Sequence, residues 1–455
     1  MKKTLSILLI LAMLFSVLAL TACGSTSAET TAAATTASQA ATDSTSAAAT
    51  NEPVTISILT AQGSYRAETF AKMAAVMKEK YNYTVDFQVL PDDQYYTVAR
   101  AKVATNEVPD IIEYNTPSNN IELGATENCV PLDDQPWAKR LINPDLLKDP
   151  TDGKIYAMPR DVGSFFGAAY FNKKLLNELG VSTEQPQTMD EFYARLQEIK
   201  DKSNGKVTPL YVTNADTWTT QVYMTLGFAV YNYPNDTDVF QKLLKNELTF
   251  PDAPGFKEVM NQYKKFYELG LVNKDHLSAN YESAKEALPS GKAAVYLNGE
   301  WYVSDAKAKF PDAEFGSWVV PFNDQLIMGT GAYVRGWFAM KGGKQVDKTL
   351  EFLDRWSQPE IMDIYYADLA GFPAFNDVNG GTVDPSVQEL VDKYLSTGKY
   401  TYQINDPMGV ASSIWTELWK LYVDMVAQDI SAEDTLADWQ QIYADYMKQN
   451  QQPGF

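Results

Sequence analysis

The folded part of the chain opens with residues 54–59, Val-Thr-Ile-Ser-Ile-Leu, a run of β-branched and aliphatic residues that predicts a β-strand. This run leads through a short loop into residues 64–81, where apolar side chains such as Phe70 and Met77 recur at helical spacing. Residues 83–90 then alternate between apolar and polar side chains, as a second strand does. Strand, helix and strand in this order predict an α/β fold that begins with a βαβ unit.

The alternation of helix and strand continues beyond this opening. A helical pattern covers residues 92–107, and residues 109–115 have the composition of a strand that runs out into a loop. Thr188 and Glu191 form a capping box, which predicts the start of a helix that reaches Lys200. The remaining predicted elements are a similar helix start at Ser431 and Asp434, a helix over 347–366, and strands at 293–297, 318–320 and 332–340.

The N-terminus has the pattern of an export signal. Lys2 and Lys3 precede an apolar stretch at 5–20, which is too short for a good membrane-spanning helix. The stretch ends in Leu-Thr-Ala-Cys, and this sequence resembles the lipobox of bacterial lipoproteins. The resemblance implies a signal peptide at 1–22 that is removed, and a diacylglycerol-modified (palmitate-bearing) Cys23 as the new N-terminus.

A tether is predicted between this cysteine and the folded region. Residues 24–52 are nearly all Ser, Thr, Ala and Gly with a few acidic residues, a composition too poor in large apolar groups to form a core. We therefore expect 23–53 to be a disordered, lipid-anchored segment with a reach of about 30 Å. The anchor would hold the folded region, 54–455, at the outer, extracytoplasmic face of the cell membrane.

Composition limits the functions that this chain can have. About 400 residues remain after the tether, more than one core usually holds, which suggests two lobes. The formal net charge of the whole chain is -20, so nucleic acid is disfavoured as a partner. Acylation of Cys23 would leave Cys129 without a disulfide partner inside the chain, so Cys129 is expected to be a plain buried thiol.

Most catalytic chemistries lack their signature residues here. His276 is the only histidine, which excludes histidine-based triads and zinc motifs, and its charged neighbours predict a surface position. The GxxxxGK[ST] phosphate-binding loop is absent from the sequence. We therefore expect no cofactor, no metal and no catalytic residues.

Several ordered segments carry a family resemblance. Residues 152–159, Asp-Gly-Lys-Ile-Tyr-Ala-Met-Pro, continue into 167–172, Gly-Ala-Ala-Tyr-Phe-Asn. They are followed by 186–191, Pro-Gln-Thr-Met-Asp-Glu, where Met stands in place of the Trp common in the family, and by Gly-Lys-Ala-Ala-Val with Gly-Glu-Trp inside 290–301. Gly-Phe-Pro-Ala at 371–374 completes the set. Together these segments resemble the family 1, maltose-binding-protein-like extracellular solute-binding proteins of bacterial ABC sugar importers.

The resemblance implies a two-lobed periplasmic-binding-protein-like fold of type II, with hinge strands, an inter-lobe ligand cleft and closure by hinge bending. The first lobe is expected to comprise about 54–163 and 310–370. The second lobe is expected to comprise about 164–309 and 371–455.

We choose candidate site residues on the expectation that the ligand is a sugar. A pyranose has apolar C–H faces and a rim of hydroxyls, so its site needs flat aromatic surfaces together with polar side chains. Such residues in loops that follow strands, or near the expected hinge, are the candidate ligand contacts. They are Gln62, Tyr65, Tyr114, Asn115, Arg160, Asp161, Phe165, Trp218, Glu300, Trp301, Tyr333, Arg335 and Phe372.

The predicted function is capture of a mono- or oligosaccharide and its delivery to the permease subunits of an ABC transporter by a monomeric, non-enzymatic lipoprotein. Three alternatives stay open at this point. A secreted carbohydrate-active enzyme would also need aromatic platforms, together with two carboxylates. Relatives also bind non-sugar solutes such as polyamines, peptides or metals. A sensor that reports ligand to a membrane receptor would use the same lobes.

Overall fold

A computed structural model of the protein describes residues 52–160, 165–331, 334–404 and 412–455. The predicted signal peptide, the lipidated Cys23 and the predicted tether up to residue 51 lie outside these ranges. The described residues belong to one unit and form two lobes, each built on its own mixed β-sheet. This arrangement confirms the predicted two-lobed α/β fold.

The strands and helices of the described residues alternate for most of the chain. The strands are β1 Val54–Ala61, β2 Tyr83–Leu90, β3 Ile111–Thr116, β4 Ala157–Pro159, β5 Phe165–Asn172, β6 Thr208–Tyr211, β7 Ala293–Asn298, β8 Phe315–Trp318, β9 Met328–Gly331, β10 Val334–Ala339 and β11 Tyr400–Tyr402. The α-helices are α1 Ala67–Tyr81, α2 Asp92–Thr105, α3 Asn120–Leu123, α4 Ala125–Asn128, α5 Lys173–Glu178, α6 Met189–Lys202, α7 Met224–Asn232, α8 Asp236–Leu244, α9 Phe256–Glu268, α10 Tyr281–Ala287, α11 Trp301–Lys309, α12 Val346–Trp356, α13 Pro359–Asp368, α14 Pro385–Leu390, α15 Ser412–Ala427 and α16 Ala432–Gln449. No helix in the part of the chain just described is long and apolar enough to cross a membrane.

The sheet of the first lobe has the strand order β2-β1-β3-β10-β4. Strand β1 runs parallel to β2 and β3, whereas β10 runs antiparallel to both β3 and β4. Both faces of β1 are buried: Ile58 packs in the cluster that contains Phe70 of α1, and Leu59 packs in the cluster that contains Tyr95 of α2. Burial on both faces explains why the opening run is almost continuously apolar.

The sheet of the second lobe has the order β11-β9-β5-β7-β6, and β8 pairs with β5. Helices from three parts of the sequence cover it. Met189 and Phe192 of α6, Phe266 of α9, and Trp439 of the C-terminal helix α16 share one core cluster. The C-terminal helix therefore packs in the second lobe.

The lobe boundaries differ from the predicted ones in two places. Strands β8 and β9 pair with β5 in the second sheet, so residues 310–331 go with the second lobe and not with the first. Phe375 forms a β-bridge with Leu141 and lies in the core of the first lobe, so the segment around it was wrongly assigned to the second. Strand pairing is a long-range property, which the local pattern at these positions does not contain.

Most of the predicted elements are confirmed within two or three residues. The Thr188 side chain accepts a hydrogen bond from the Glu191 amide at the start of α6, and Ser431 does the same for Asp434 at the start of α16. The helix predicted over 347–366 is instead two helices, α12 and α13, because Pro359 begins the second one. The strand predicted at 318–320 ends at Trp318.

His276 was predicted to be a surface residue, but its ring is half-buried. Asn214 Nδ2 lies 3.0 Å from His276 Nδ1, and Tyr267 packs edge-on against the ring. The amide nitrogen can only donate, so Nδ1 accepts and the ring is neutral in this arrangement. Burial lowers the pKa of His276, and the nearby Asp275 offsets this only in part.

This environment predicts a pH dependence of stability. The unfolded chain binds a proton near the ordinary histidine pKa of about 6.5, whereas the folded chain binds it only at lower pH. The free energy of unfolding should therefore fall as the pH drops below 6.5. Urea unfolding at pH 7.5 and at pH 5.5 measures the effect. In His276→Gln the difference between the two pH values should shrink, and an unchanged difference would contradict this account of the ring.

Candidate ligand-binding site

A cavity of about 480 Å³ lies between the lobes. The first lobe lines it with residues at the end of β1, the N-terminus of α2, the end of β3 and the start of β10. The second lobe lines it with residues from the loop before α7, from the starts of α10 and α11, and from α15. A concave site between two lobes, at the ends of strands, is where α/β proteins commonly bind small molecules.

The wall from the first lobe is polar. Asn115 and Arg335 are direct neighbours across β3 and β10, and the Arg160 amide donates to the Arg335 carbonyl at 2.9 Å. Asn115 Oδ1 and Arg335 Nη1 are both buried, and neither atom has a hydrogen-bond partner among the described residues. A ligand hydroxyl can accept a hydrogen bond from the arginine and donate one to the amide oxygen, so one such group would satisfy both atoms.

Arg335 keeps its charge in this half-buried position. Burial by itself lowers its pKa, but the neighbouring Tyr96 and Glu113 together raise the pKa above the ordinary arginine value. The cavity therefore presents a permanent cationic donor beside a neutral amide.

A buried carboxylate lies behind this wall. Glu113 is fully buried, and its Oε2 accepts a hydrogen bond from Trp337 Nε1 at 2.9 Å. The same oxygen lies 3.6 Å from Arg160 Nη1, and Arg160 also donates to the Ser64 carbonyl at 3.2 Å. Arg160 is therefore a buried part of the wall, held by Glu113, rather than half of a surface ion pair.

The wall from the second lobe is aromatic. The rings of Trp218 and Trp301 have centroids 6.5 Å apart, and Tyr281 lies 5.5 Å from Trp218. All three residues line the cavity. Gly299 is required for this geometry, because a β-carbon at that position would come within 2.3 Å of the Trp301 ring. The indole faces offer the apolar surface on which the C–H face of a sugar ring stacks.

Seven of the candidate ligand contacts line the cavity. They are Asn115, Arg160, Trp218, Glu300, Trp301, Arg335 and Phe372. Their contact with a ligand stays a prediction. Asp161, Tyr333 and the side chain of Phe165 lie outside the described residues.

Three other candidates are not brought to the cavity. Tyr114 is fully buried and donates to Glu122 at 2.7 Å, because consecutive residues of a strand point to opposite faces and Asn115 takes the cavity side. Tyr65 packs against Phe70 in the core of the first lobe. Gln62 is exposed, whereas the next two residues of the same loop line the cavity.

Sequence reasoning missed several lining residues. Arg66 directly follows the candidate Tyr65, so its charge was an available signal. Asp92 also lines the cavity and accepts a hydrogen bond from the Gly63 amide at 2.8 Å. Tyr281 and Asp305 lie on helices without a motif, and no local signal could have identified them. Trp419 packs in the core of the second lobe and also lines the cavity.

Across the four described ranges, no three His, Cys, Asp or Glu side chains are grouped as metal ligands. Cys129 is buried, and burial raises its pKa to about 12, so its thiol stays protonated.

Comparison with known proteins places the chain among binding proteins. A family model described as bacterial extracellular solute-binding protein matches residues 63–362. The chain is similar to the melibiose/raffinose/stachyose-binding protein MelE of Bacillus subtilis, with 24% identity over 300 residues that cover 64% of this chain and 67% of MelE. It is also similar to the diacetylchitobiose-binding protein DasA of Streptomyces coelicolor, with 27% identity over 206 residues, but the match covers only 44% of this chain and 45% of DasA.

Among solved structures, a sugar transporter protein of Bacillus licheniformis in complex with stachyose has a TM-score of 0.70 to this chain. The two chains are 22% identical, and the match covers 85% of this chain and 98% of the other. This likeness shows a common two-lobed fold.

Removal of the buried carboxylate tests the construction of the polar wall. Glu113→Gln would leave the buried Arg160 without the carboxylate that lies 3.6 Å from it and would remove a negative charge near Arg335, which should lower the free energy of unfolding by about 3 kcal/mol. Urea denaturation measures the loss, and Glu127→Gln, which changes an exposed carboxylate of the same lobe, is the control. Equal stabilities of the two variants would refute the role given to Glu113.

Proposed function

The chain belongs to the bacterial extracellular solute-binding protein family, and from this premise we propose that it captures a mono- or oligosaccharide outside the cytoplasm and delivers it unchanged to the permease of an ABC transporter. The observation that carries this proposal is the pairing of two different walls in one cavity. The aromatic residues Trp218 and Trp301 come from one lobe. From the other lobe come Asn115 Oδ1 and Arg335 Nη1, which have no hydrogen-bond partner within the described ranges. Sugars have both an apolar face and a hydroxyl rim, and so they match both walls.

The charges that line the cavity favour a neutral ligand. Three of the five lining carboxylates already have cationic partners within the protein: Asp305 with Arg66, Asp384 with Lys307, and Asp368 with Lys72. A fourth, Asp92, accepts a hydrogen bond from the Gly63 amide. A polyamine or a metal ion would need carboxylates that are not already paired. A neutral polyhydroxylated ligand needs only hydrogen bonds, and the polar wall offers these.

The comparisons point to the same ligand class. MelE is named for melibiose, raffinose and stachyose, and the Bacillus licheniformis protein was solved with stachyose. DasA is named for diacetylchitobiose. These sugars contain more than one ring, so oligosaccharides are the first ligands to test.

The site of action follows from the N-terminal pattern. We propose that the Cys23 thiol receives a diacylglycerol before residues 1–22 are removed, and that the protein acts as a lipid-anchored monomer at the outer face of the cell membrane. Capture would then proceed by hinge closure, since a ligand that contacts both lobes favours the closed arrangement. The closed form is the one that we expect to dock on the permease.

A thermal-unfolding screen tests the proposed function. The chain from residue 24 onward is heated with raffinose, stachyose, chitobiose, monosaccharides, polyamines, amino acids and divalent metals, and each stabilising ligand is then recovered and analysed. A sugar at 100 times its Kd should add about 2.7 kcal/mol of stability and be recovered intact. A cleaved sugar would make the protein an enzyme, and stabilisation by non-sugars alone would contradict the proposed ligand.

Truncation of the aromatic wall tests the location of the site. Trp301→Ala removes a stacking face and should weaken binding of the stabilising sugar about 10-fold or more, because covering an indole face with ligand contributes about 1.5 kcal/mol or more. Isothermal titration calorimetry measures the affinity. Tyr402→Ala, which changes an exposed aromatic residue that does not line the cavity, should bind as the unmodified chain does. An unchanged affinity in Trp301→Ala would remove this residue from the site.

A further inference from the structure

Two charged side chains meet across the cleft. Arg66 belongs to the first lobe, just before α1, and Asp305 belongs to α11 of the second lobe. Arg66 Nη2 lies 2.7 Å from Asp305 Oδ2, a short charge-assisted hydrogen bond. The side chains are only 13% and 3% exposed, and both residues line the cavity. The two lobes therefore contact each other directly at the place where the ligand is expected.

Each partner is held in position by its own lobe. Arg66 Nη1 donates to the Gly63 carbonyl at 2.7 Å. Asp305 Oδ2 also accepts a hydrogen bond from the Tyr281 hydroxyl at 2.7 Å, and Lys285 Nζ lies 3.8 Å away. Side chains that are oriented before the lobes meet lose less conformational entropy when the contact forms.

The protonation states support a persistent ion pair. Burial lowers the pKa of Arg66, but Asp305 and nearby tyrosines raise it above the ordinary arginine value. Burial, with Asp305 adding to it, raises the pKa of Tyr281 well above its ordinary value, so its hydroxyl stays protonated and continues to donate.

We infer that Arg66 and Asp305 are a closing pair, which stabilises the closed arrangement of the lobes and thereby sets the affinity for every ligand without selecting among ligands. This inference rests on the proposed function only in that closure serves capture. When the cleft opens, water solvates both charged side chains, so neither charge requires the other as a partner. Loss of one partner leaves the other with contacts from its own lobe alone, namely Gly63 for Arg66, and Tyr281 and Lys285 for Asp305. The closed form then loses this contact between the lobes, which shifts the population toward the open form.

This inference has one consequence for affinity: a change in closure changes the Kd of every ligand by the same factor. When only the closed form completes the site, the apparent Kd equals the intrinsic Kd divided by the closed fraction. A change in that fraction multiplies the Kd of all ligands equally. A residue that contacts the ligand directly would instead change the Kd values of different ligands by different factors.

Distances between spin labels test the closing pair without any ligand. Labels are attached at Glu79→Cys in the first lobe and Glu258→Cys in the second, both exposed positions, in the chain from residue 24. Cys129 is buried and remains unlabelled. Pulsed dipolar spectroscopy then gives the ratio of short, closed distances to long, open ones. We expect a measurable closed population in the otherwise unmodified chain and a ratio about ten-fold lower in Arg66→Gln.

Matched variants separate closure from other effects. Arg100→Gln breaks an arginine–carboxylate contact with Glu122 inside the first lobe and should leave the ratio unchanged. Asp305→Asn should resemble Arg66→Gln, and the double variant should be no more open than Arg66→Gln, because the two side chains act through one contact. If Asp305→Asn fails to fold, the comparison of Arg66→Gln with Arg100→Gln still tests whether the pair stabilises the closed form.

Affinity supplies the second readout. Arg66→Gln should raise the Kd of raffinose and of stachyose by the same factor, to within about two-fold. An unchanged distance ratio, or no closed population in the unmodified chain, would overturn the inference, and so would unequal factors for the two sugars. If neither sugar binds the unmodified chain, the proposed ligands fail, while the ligand-free distances still test the closing pair.

Discussion

The structure depends on one long-range pairing, the insertion of β10 between β3 and β4. The chain leaves the first lobe after β4, builds most of the second lobe, and returns to complete the first sheet. This return brings Arg335 beside Asn115 and Arg160, three residues that are far apart in sequence. It also brings Trp337 to the buried Glu113. The same pairing therefore ties the two lobes together and builds the polar wall of the cavity.

The two walls differ in chemistry because they come from different lobes. Strand ends of the first lobe supply hydrogen-bonding groups held by backbone pairing and by Glu113, whereas helix starts of the second lobe supply aromatic faces. A ligand that satisfies both walls must contact both lobes, so binding and closure are coupled through the ligand. The pair formed by Arg66 and Asp305 would add a contribution to closure that the ligand does not supply.

The sequence was most informative where structure is local. The βαβ opening, the capped starts of α6 and α16 and the aromatic residues beside family motifs could all be predicted from short segments. Tyr114 was chosen together with Asn115 because the pattern of a strand does not say which face will meet the cavity. Tyr281 and Asp305 could not be found, because only the packing of α10 and α11 brings them to Arg66. The lobe assignments of 310–331 and of Phe375 failed for the same reason, since they depend on pairing with distant strands.

The central claim is that one intact sugar lies between the aromatic and the polar wall and contacts both lobes. A crystal structure of the chain grown with the sugar that stabilises it most tests this claim directly. The account predicts an uncleaved sugar with a ring against Trp301 or Trp218 and a hydroxyl within hydrogen-bond distance of both Arg335 and Asn115. A sugar bound elsewhere, a sugar in contact with one lobe only, or a cleaved product in the cavity would contradict it.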